Sequence, residues 1–378
     1  MKKFSKNIVK EFKNSFGRFL AIMAIIALGV GFLIGVTQAT PDMKTSMSDY
    51  LHENAAYDVD VKATYGLTRG DVDSIAALTD DDGDEVVTEY MPVVTSSVMA
   101  SIDGANDSAV NLIGLDFSKV KEGSDYLNKL TLIEGEWPTA ADEVVVERSN
   151  NYFEDVNIGD KVVIADELNT ANSTYGDIYA QKELTIVGIV SSPDYYYRDA
   201  REVTTVGTGV VSLVVYGNYS VKAEENDEGE TEYVADTENN VYDLSKSGTL
   251  FWSLSLDMSI LGSPAIRDES ILYTDVWVQV AGSDGYEFFY TDYKDHVLEL
   301  AEYIDELGGE INAEVNAAIE ESRLAQSAGL PASASWYLLD RASTNVSYVS
   351  FDMNVEKVED IAGIFPVFFI VVAALVAL

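Results

Sequence analysis

Two stretches interrupt the chain's mixture of polar and apolar positions. Residues 19–36 read FLAIMAIIALGVGFLIGV and residues 361–378 read IAGIFPVFFIVVAALVAL, each 18 residues without a charged side chain. As helices they would be roughly 27 Å long, close to the hydrocarbon thickness of a bilayer. Lipid offers backbone amides no water to bond, so both runs predict spanning helices. Ahead of the first, Phe4, Ile8, Phe12, Phe16 and Phe19 recur every three to four residues. That spacing predicts an interfacial helix over 1–18, with Lys2, Lys3, Lys6, Lys10, Lys13 and Arg18 at lipid phosphates. Within the first span Ala27, Gly31 and Gly35 lie four apart, a small-residue face that lets another helix pack closely. Pro366 is expected to kink the second span or to sit in its first turns.

Between the spans the pattern changes to a mixed α+β one, with strands dominant. Residues 58–63 (DVDVKA) alternate as a half-buried strand does. Thr68 can cap a helix over 69–78, with Asp71 at the capping-box position, and 85–98 return as strand. Further strands are predicted at 110–114, 143–147, 161–165, 184–190, 206–216 and 274–280, with a turn at 158–160. Acidic stretches 80–85 and 224–232 are read as solvated loops. A helix over about 291–328 follows, with Val297, Leu300, Ile304, Leu307 and Ile311 at helical spacing. It either forms a strut before the chain's return to the membrane or packs on the sheet.

Charge turns this pattern into a topology. The 378 residues carry 24 Lys and Arg against 64 Asp and Glu, a net of −40. Residues 1–36 hold six basic groups and one acid, and 37–360 hold 18 basic and 63 acidic groups, a net of −45. A basic foot and an acidic body place the N-terminus in the cytoplasm and the body outside. A cleaved signal peptide is the rival reading, since Thr37-Gln38-Ala39 offers a small-residue cleavage site; the apolar run is longer than a usual signal core. The uncharged stretch after Glu356, Glu359 and Asp360 has no polar spacer of a lipid-anchored tail, so the natural chain is expected to continue into more spanning helices.

The acidic body repels nucleic acid and anionic head groups. No cysteine is present, which excludes thiol chemistry and disulfides. With only His52 and His296 no multi-histidine metal site can form. The acids of 80–85 alternate, but one occupies the place where an EF-hand loop needs glycine. No phosphate loop, GxSxG elbow or HExxH helix occurs, so the chain reads as no enzyme, with no cofactor of its own. Tyr195, Tyr196 and Tyr197 after Pro193 form an aromatic cluster, read as a loop or subdomain contact or as a partner contact.

Several segments taken in order resemble one family. NIVKEFKNSFGRFLAIMAIIALGVGF, LIEGEWPTAADEVVVE, NIGDKVVI with KELTIVGIVSSPDYYY, and WYLLDRASTNVSYVSF with the final apolar run are together similar to FtsX-like (MacB-type) permeases of ABC transporters, in their large Gram-positive form. The resemblance implies an extracytoplasmic porter-like α/β subdomain at 45–110 and 266–360, with an inserted β-rich subdomain at 111–265. It implies a separate cytoplasmic ABC ATPase that binds ATP, in keeping with the missing phosphate loop. A homodimer or second permease half, and membrane lipids, are the other partners implied. The work would be mechanotransmission: export or extraction of lipid, lipoprotein or peptide, or envelope regulation. Unlike larger relatives, the chain has no long coiled-coil hairpin before Trp336. Trp336, Asp340, Arg341 and Pro366 are then expected to couple the outer domain to the second span. The alternatives are a membrane-anchored sensor or binding ectodomain, which would act without an ATPase, and an envelope enzyme, which the missing catalytic set disfavours.

Overall fold

A computed structural model describes residues 16–120, 125–148, 156–165, 179–197, 201–204, 206–226, 229–243, 271–321 and 334–377. It divides into two units, 1–49 with 350–378, and 50–349. Lys2, Lys3, Lys6, Lys10 and Lys13 lie outside the described residues, as does the side chain of Arg18.

The first unit is helical. Helix α1 (Phe16–Glu53) runs 17 residues past the predicted end of the first apolar run, with Pro41 inside it. The Thr37-Gln38-Ala39 tripeptide is therefore helical. Beside α1 lies the C-terminal part of helix α5 (Val346–Ala377). Phe32 meets Phe365 at 4.9 Å between ring centroids, and Lys44 pairs with Asp352 at 3.5 Å, so the two run antiparallel. The close approach falls at Gly29, where an added Cβ would stand 2.9 Å from Cβ of Phe369. Gly31 and Gly35 have nothing within 4 Å, and Ala27 is exposed; the small-residue face does not meet α5. Pro366 sits deep inside α5 rather than in its first turns, because the helix begins twenty residues earlier. Phe19, Met23, Ile26, Leu28 and Ile34 on α1 and Ile364, Phe368 and Ile370 on α5 are all exposed. Apolar surface of that extent costs too much in water for a soluble protein.

The second unit is built on a ten-stranded sheet. Strand β1 (Val59–Thr68) lies between β11 (Ile271–Val280) and β12 (Trp336–Asp340), antiparallel to both. Helix α2 (Arg69–Ala76) opens with the predicted capping box: Thr68 and Asp71 exchange side-chain and backbone bonds. Strand β2 (Val87–Ile102) is 16 residues long and is shared. Its first half pairs with β11 and its second with β3 (Ser108–Leu115).

From β2 onward the sheet closes. Strand β3 pairs with β8 (Leu213–Asn218), β8 with β5 (Glu143–Glu147), and β5 with β7 (Glu183–Ser191). Strand β6 (Lys161–Ile164) pairs with both β7 and the end of β2. The six strands thus form a small ring, whose interior is filled by side chains such as Val98, Leu112, Val144, Val162, Ile186 and Val215; full closure leaves no exposed edge. Strand β4 (Thr131–Gly135), absent from the predicted elements, adds to β7. Residues 206–212, predicted as strand, precede β8 as turn and bend.

The acidic stretch 224–232 is not a plain loop. It turns a hairpin between β9 (Val221–Glu225) and β10 (Thr231–Ala235), whose exposed strands carry charge on both faces and so show no alternation. Helix α3 (Thr291–Glu321) begins where predicted, and the rest of its predicted length lies outside the described residues. It packs on the sheet: Tyr293 Oη donates to Oδ1 of Asp58 at 2.6 Å, and Gly308 receives Trp336, whose ring would stand 2.8 Å from a Cβ there.

Candidate functional site

Arg341 follows the last residue of β12 and opens the short helix α4 (Arg341–Thr344), which leads into α5. Asp340 caps α4, its Oδ1 accepting from the Ser343 amide at 2.8 Å. Arg341 has no exposed surface. A guanidinium removed from water must be given a partner for each donor, or several kcal/mol are lost. Here Nε donates to the Tyr57 carbonyl at 2.6 Å, and Nη1 to the Pro193 carbonyl at 3.3 Å. Nη2 bonds Oδ1 of Asn128 at 3.0 Å and pairs with Asp194 Oδ1 at 2.8 Å. The Tyr57 ring lies 4.1 Å from the guanidinium carbon, a cation–π contact on a desolvated charge.

The partners are held in turn. Asn128 donates to Oδ2 of Asp194 at 2.6 Å, and its own amide bonds the Ala55 carbonyl at 2.7 Å. Asn128 has φ of 60°, a left-handed conformation that asparagine tolerates better than most residues. Asn345 also reaches Asp194 Oδ1 at 3.4 Å, and Tyr197 N donates to Ser347 Oγ at 3.2 Å. Burial would depress the Arg341 guanidinium, but Asp194 and the neighbouring tyrosines raise it above its ordinary value. It is charged at every accessible pH.

The network therefore gathers four pieces of chain: residues 54–58 after α1, the segment 126–130, the 192–197 turn, and the start of α4 and α5. Of the expected coupling residues, Asp340 and Arg341 stand in it. Trp336 lies on the α3 side of β12, and Pro366 belongs to the other unit. Asn128 and Asp194 were not singled out from sequence. The signal available was the Ser-Pro-Asp turn before the three tyrosines, where polar residues interrupt a buried stretch.

Those tyrosines divide by position. Tyr195 is buried and donates to Glu202 Oε1 at 3.0 Å, while Tyr196 lies edge-on to Tyr50 at 6.4 Å. Beyond the Arg341 cluster opens a cavity of about 300 Å³. Its walls include Asp60 and Lys62 of β1, Asn111 of β3, Trp277 of β11, and Tyr195 and Glu202. Asp60 was expected on the wet face of a half-buried strand, but it is 7% exposed, because Asp194, Tyr195, Glu202 and Thr204 lie over that face of β1. Burial pushes the carboxyls of Asp60 and Glu202 upward, against the pull of Lys62. Among the described residues no group of three or more His, Asp or Glu could hold a metal ion.

One helix among the described residues is long and apolar enough to cross a membrane, at Phe19–Glu53. With the mixed-sheet unit that follows it, this helix gives the layout of a domain carried on a membrane anchor. The profile described as MacB-like periplasmic core domain matches residues 19–234, more than half of the chain, and the chain belongs to that family of ABC-transporter permease type. Among solved structures, the periplasmic region of MacB from Actinobacillus actinomycetemcomitans is similar at 11% identity and a TM-score of 0.27, covering 82% of this chain and 98% of that one. A domain of a permease protein from Porphyromonas gingivalis, a provisional assignment for that protein, is similar at 9% identity and a TM-score of 0.30, covering 80% and 98%. No curated protein matches the chain.

Proposed function

We propose that the chain is a permease subunit whose extracytoplasmic domain is moved by a separate cytoplasmic ABC ATPase, transmitting force rather than conducting substrate through the bilayer. The residues at 45–110 and 266–360 act as a porter-like part and 111–265 as a β-rich insert, joined by the shared strand β2. The observation that carries the reading is the Arg341 cluster. It ties the segment after α1 and the segment before α5 to turns of the β-rich part, so a displacement of either helix end is passed to the body. A fully paired buried network moves as a rigid piece. The face made by Ala27, Gly31 and Gly35 remains free to pack against a helix outside this chain, in a homodimer or a second permease half. The basic residues from Lys2 to Arg18 anchor the cytoplasmic interface, the residues 361–378 span the membrane a second time, and Pro366 shapes that span. Export or extraction of lipid, lipoprotein or peptide, or envelope regulation, are all served by such a movement.

The test uses the full-length protein assembled with its ATPase. Because the chain has no cysteine, Gln38→Cys and Asp125→Cys introduce unique label sites. ATP is expected to shift the distance between the labels, and Arg341→Lys to abolish the shift while leaving ATPase assembly intact. A label distance that ignores ATP in the doubly labelled protein with Arg341 intact would defeat the reading and favour a static binding ectodomain.

A further inference from the structure

The cavity next to the Arg341 cluster is unbalanced where the cluster is not. Among the described residues Lys62 supplies the one cation whose head group faces it, held between Asp60 Oδ2 at 3.1 Å and Oδ1 of Asp275. Asp275 is secured further by Thr95 Oγ1 at 2.6 Å. Glu202 adds a third carboxylate, accepting from Tyr195 Oη at 3.0 Å and from Asn111 Nδ2 at 2.8 Å. Asp194 lines the same space, but its charge is met by Arg341. Three carboxylates thus surround one ammonium, an excess of negative charge in a recess largely withdrawn from water. The second oxygen of Asp60, Oδ1, is buried and has no hydrogen-bond partner. A buried acceptor left unmade costs about 1–3 kcal/mol, more for a charged group. Asp60 itself is one of the residues that line the cavity.

We propose that this cavity binds an alkylammonium group, seated between Asp60 and Glu202 beside the Trp277 and Tyr195 rings. An ammonium head offers three donors and one positive charge in a compact volume, which answers the charge excess at the cavity wall. The cavity's about 300 Å³ is the lower end of the range for small-ligand pockets, enough for one amine-bearing chain. An anion would add to the repulsion already present. A metal ion lacks its ligands, since no suitable cluster of three occurs among the described residues. The ammonium can come from a free diamine or from a lysyl side chain of a peptide; the chemistry at Asp60 is the same. This inference does not depend on coupling to an ATPase.

The full-length chain in detergent is titrated calorimetrically at 150 mM salt with cadaverine, with Nα-acetyl-lysine methylamide, and with neutral 1-pentanol. At least one amine is expected to bind one per chain, tenfold or more tighter than the alcohol. Cadaverine alone identifies a free amine as the source, and the lysine mimic alone a peptide. Glu202→Gln, at the partly exposed wall, is expected to weaken binding tenfold or more, as is Asp60→Asn. Asp236→Asn, on a separate turn, controls for attraction to the acidic surface at large. Binding of the alcohol as tight as the amines, no binding of either amine, or equal loss with Asp236→Asn overturns the proposal. If Asp60→Asn does not fold, Glu202→Gln decides: unchanged affinity overturns it.

Discussion

The Arg341 cluster and the Asp60 cavity are neighbours that share Tyr57 and Asp194, yet they treat buried charge in opposite ways. Around Arg341 every nitrogen of the guanidinium finds an acceptor, and its charge is matched by one carboxylate. Around Lys62 the carboxylates outnumber the cation and one oxygen stays unpaired. A satisfied network stiffens the chain segments that meet in it, while an unsatisfied one stores an interaction for something else to complete. The difference separates a mechanical junction from a candidate binding place within one domain.

Five substitutions and a titration sharpen that contrast. The largest effect is expected at the junction: Arg341→Ala should cost about 3–5 kcal/mol in denaturant unfolding, since it strands Asp194 as a buried unpaired charge. Asp60→Asn should change stability by less than about 1 kcal/mol, because Oδ1 makes no bond and Lys62 keeps its pairing with Asp275. If the two cost the same, the contrast fails. Gly308→Leu should cost about 1–3 kcal/mol by driving a side chain into Trp336, while Gly309→Ala, exposed inside the same helix with nothing within 4 Å, should stabilise by about 0.5–1 kcal/mol in the same unfolding experiment. Thr68→Ala removes one half of the α2 capping box and should cost about 1 kcal/mol.

A change of slope with pH is expected at Glu147. Glu147 is buried beside Arg201, and burial pushes its carboxyl up to about 7, against the pull of that arginine. Unfolded, it would release its proton near the ordinary value of 4.5. Between those values the folded chain holds the extra proton, so stability falls as pH rises through the interval. Asp58, Asp60 and Glu202 are shifted upward by burial as well and act in the same sense. Glu147→Gln should flatten the decline between pH 4.5 and 7 in unfolding titrations. An unchanged slope would mean that Arg201 holds Glu147 ionised throughout.

How much of this was legible beforehand can be judged from particular residues. The α2 cap, the strands at 143–147 and 184–190, and the start of α3 follow local rules of capping, alternation and helical period, and they appear within a residue or two of prediction. The β9–β10 hairpin and β4 were missed because exposed strands with polar residues on both faces have no hydrophobic alternation to read. Asp340 and Arg341 were named for their place between strand and helix. Asn128 and Asp194, which complete that site, come from segments 213 and 147 residues earlier in the chain.

By itself the sequence determined the long apolar helix, the sidedness of charge, the α+β character and the family, since each is written in residue type and short-range period. Only the tertiary structure decided that β2 is shared between a four-stranded face and a closed ring. It decided too that Gly29 rather than Gly31 or Gly35 meets α5, and that Asp60 lies buried on the face its alternation assigned to water. These outcomes depend on which distant segment covers a surface. Burial is a property of the covering segment as much as of the residue covered, and no local pattern carries it.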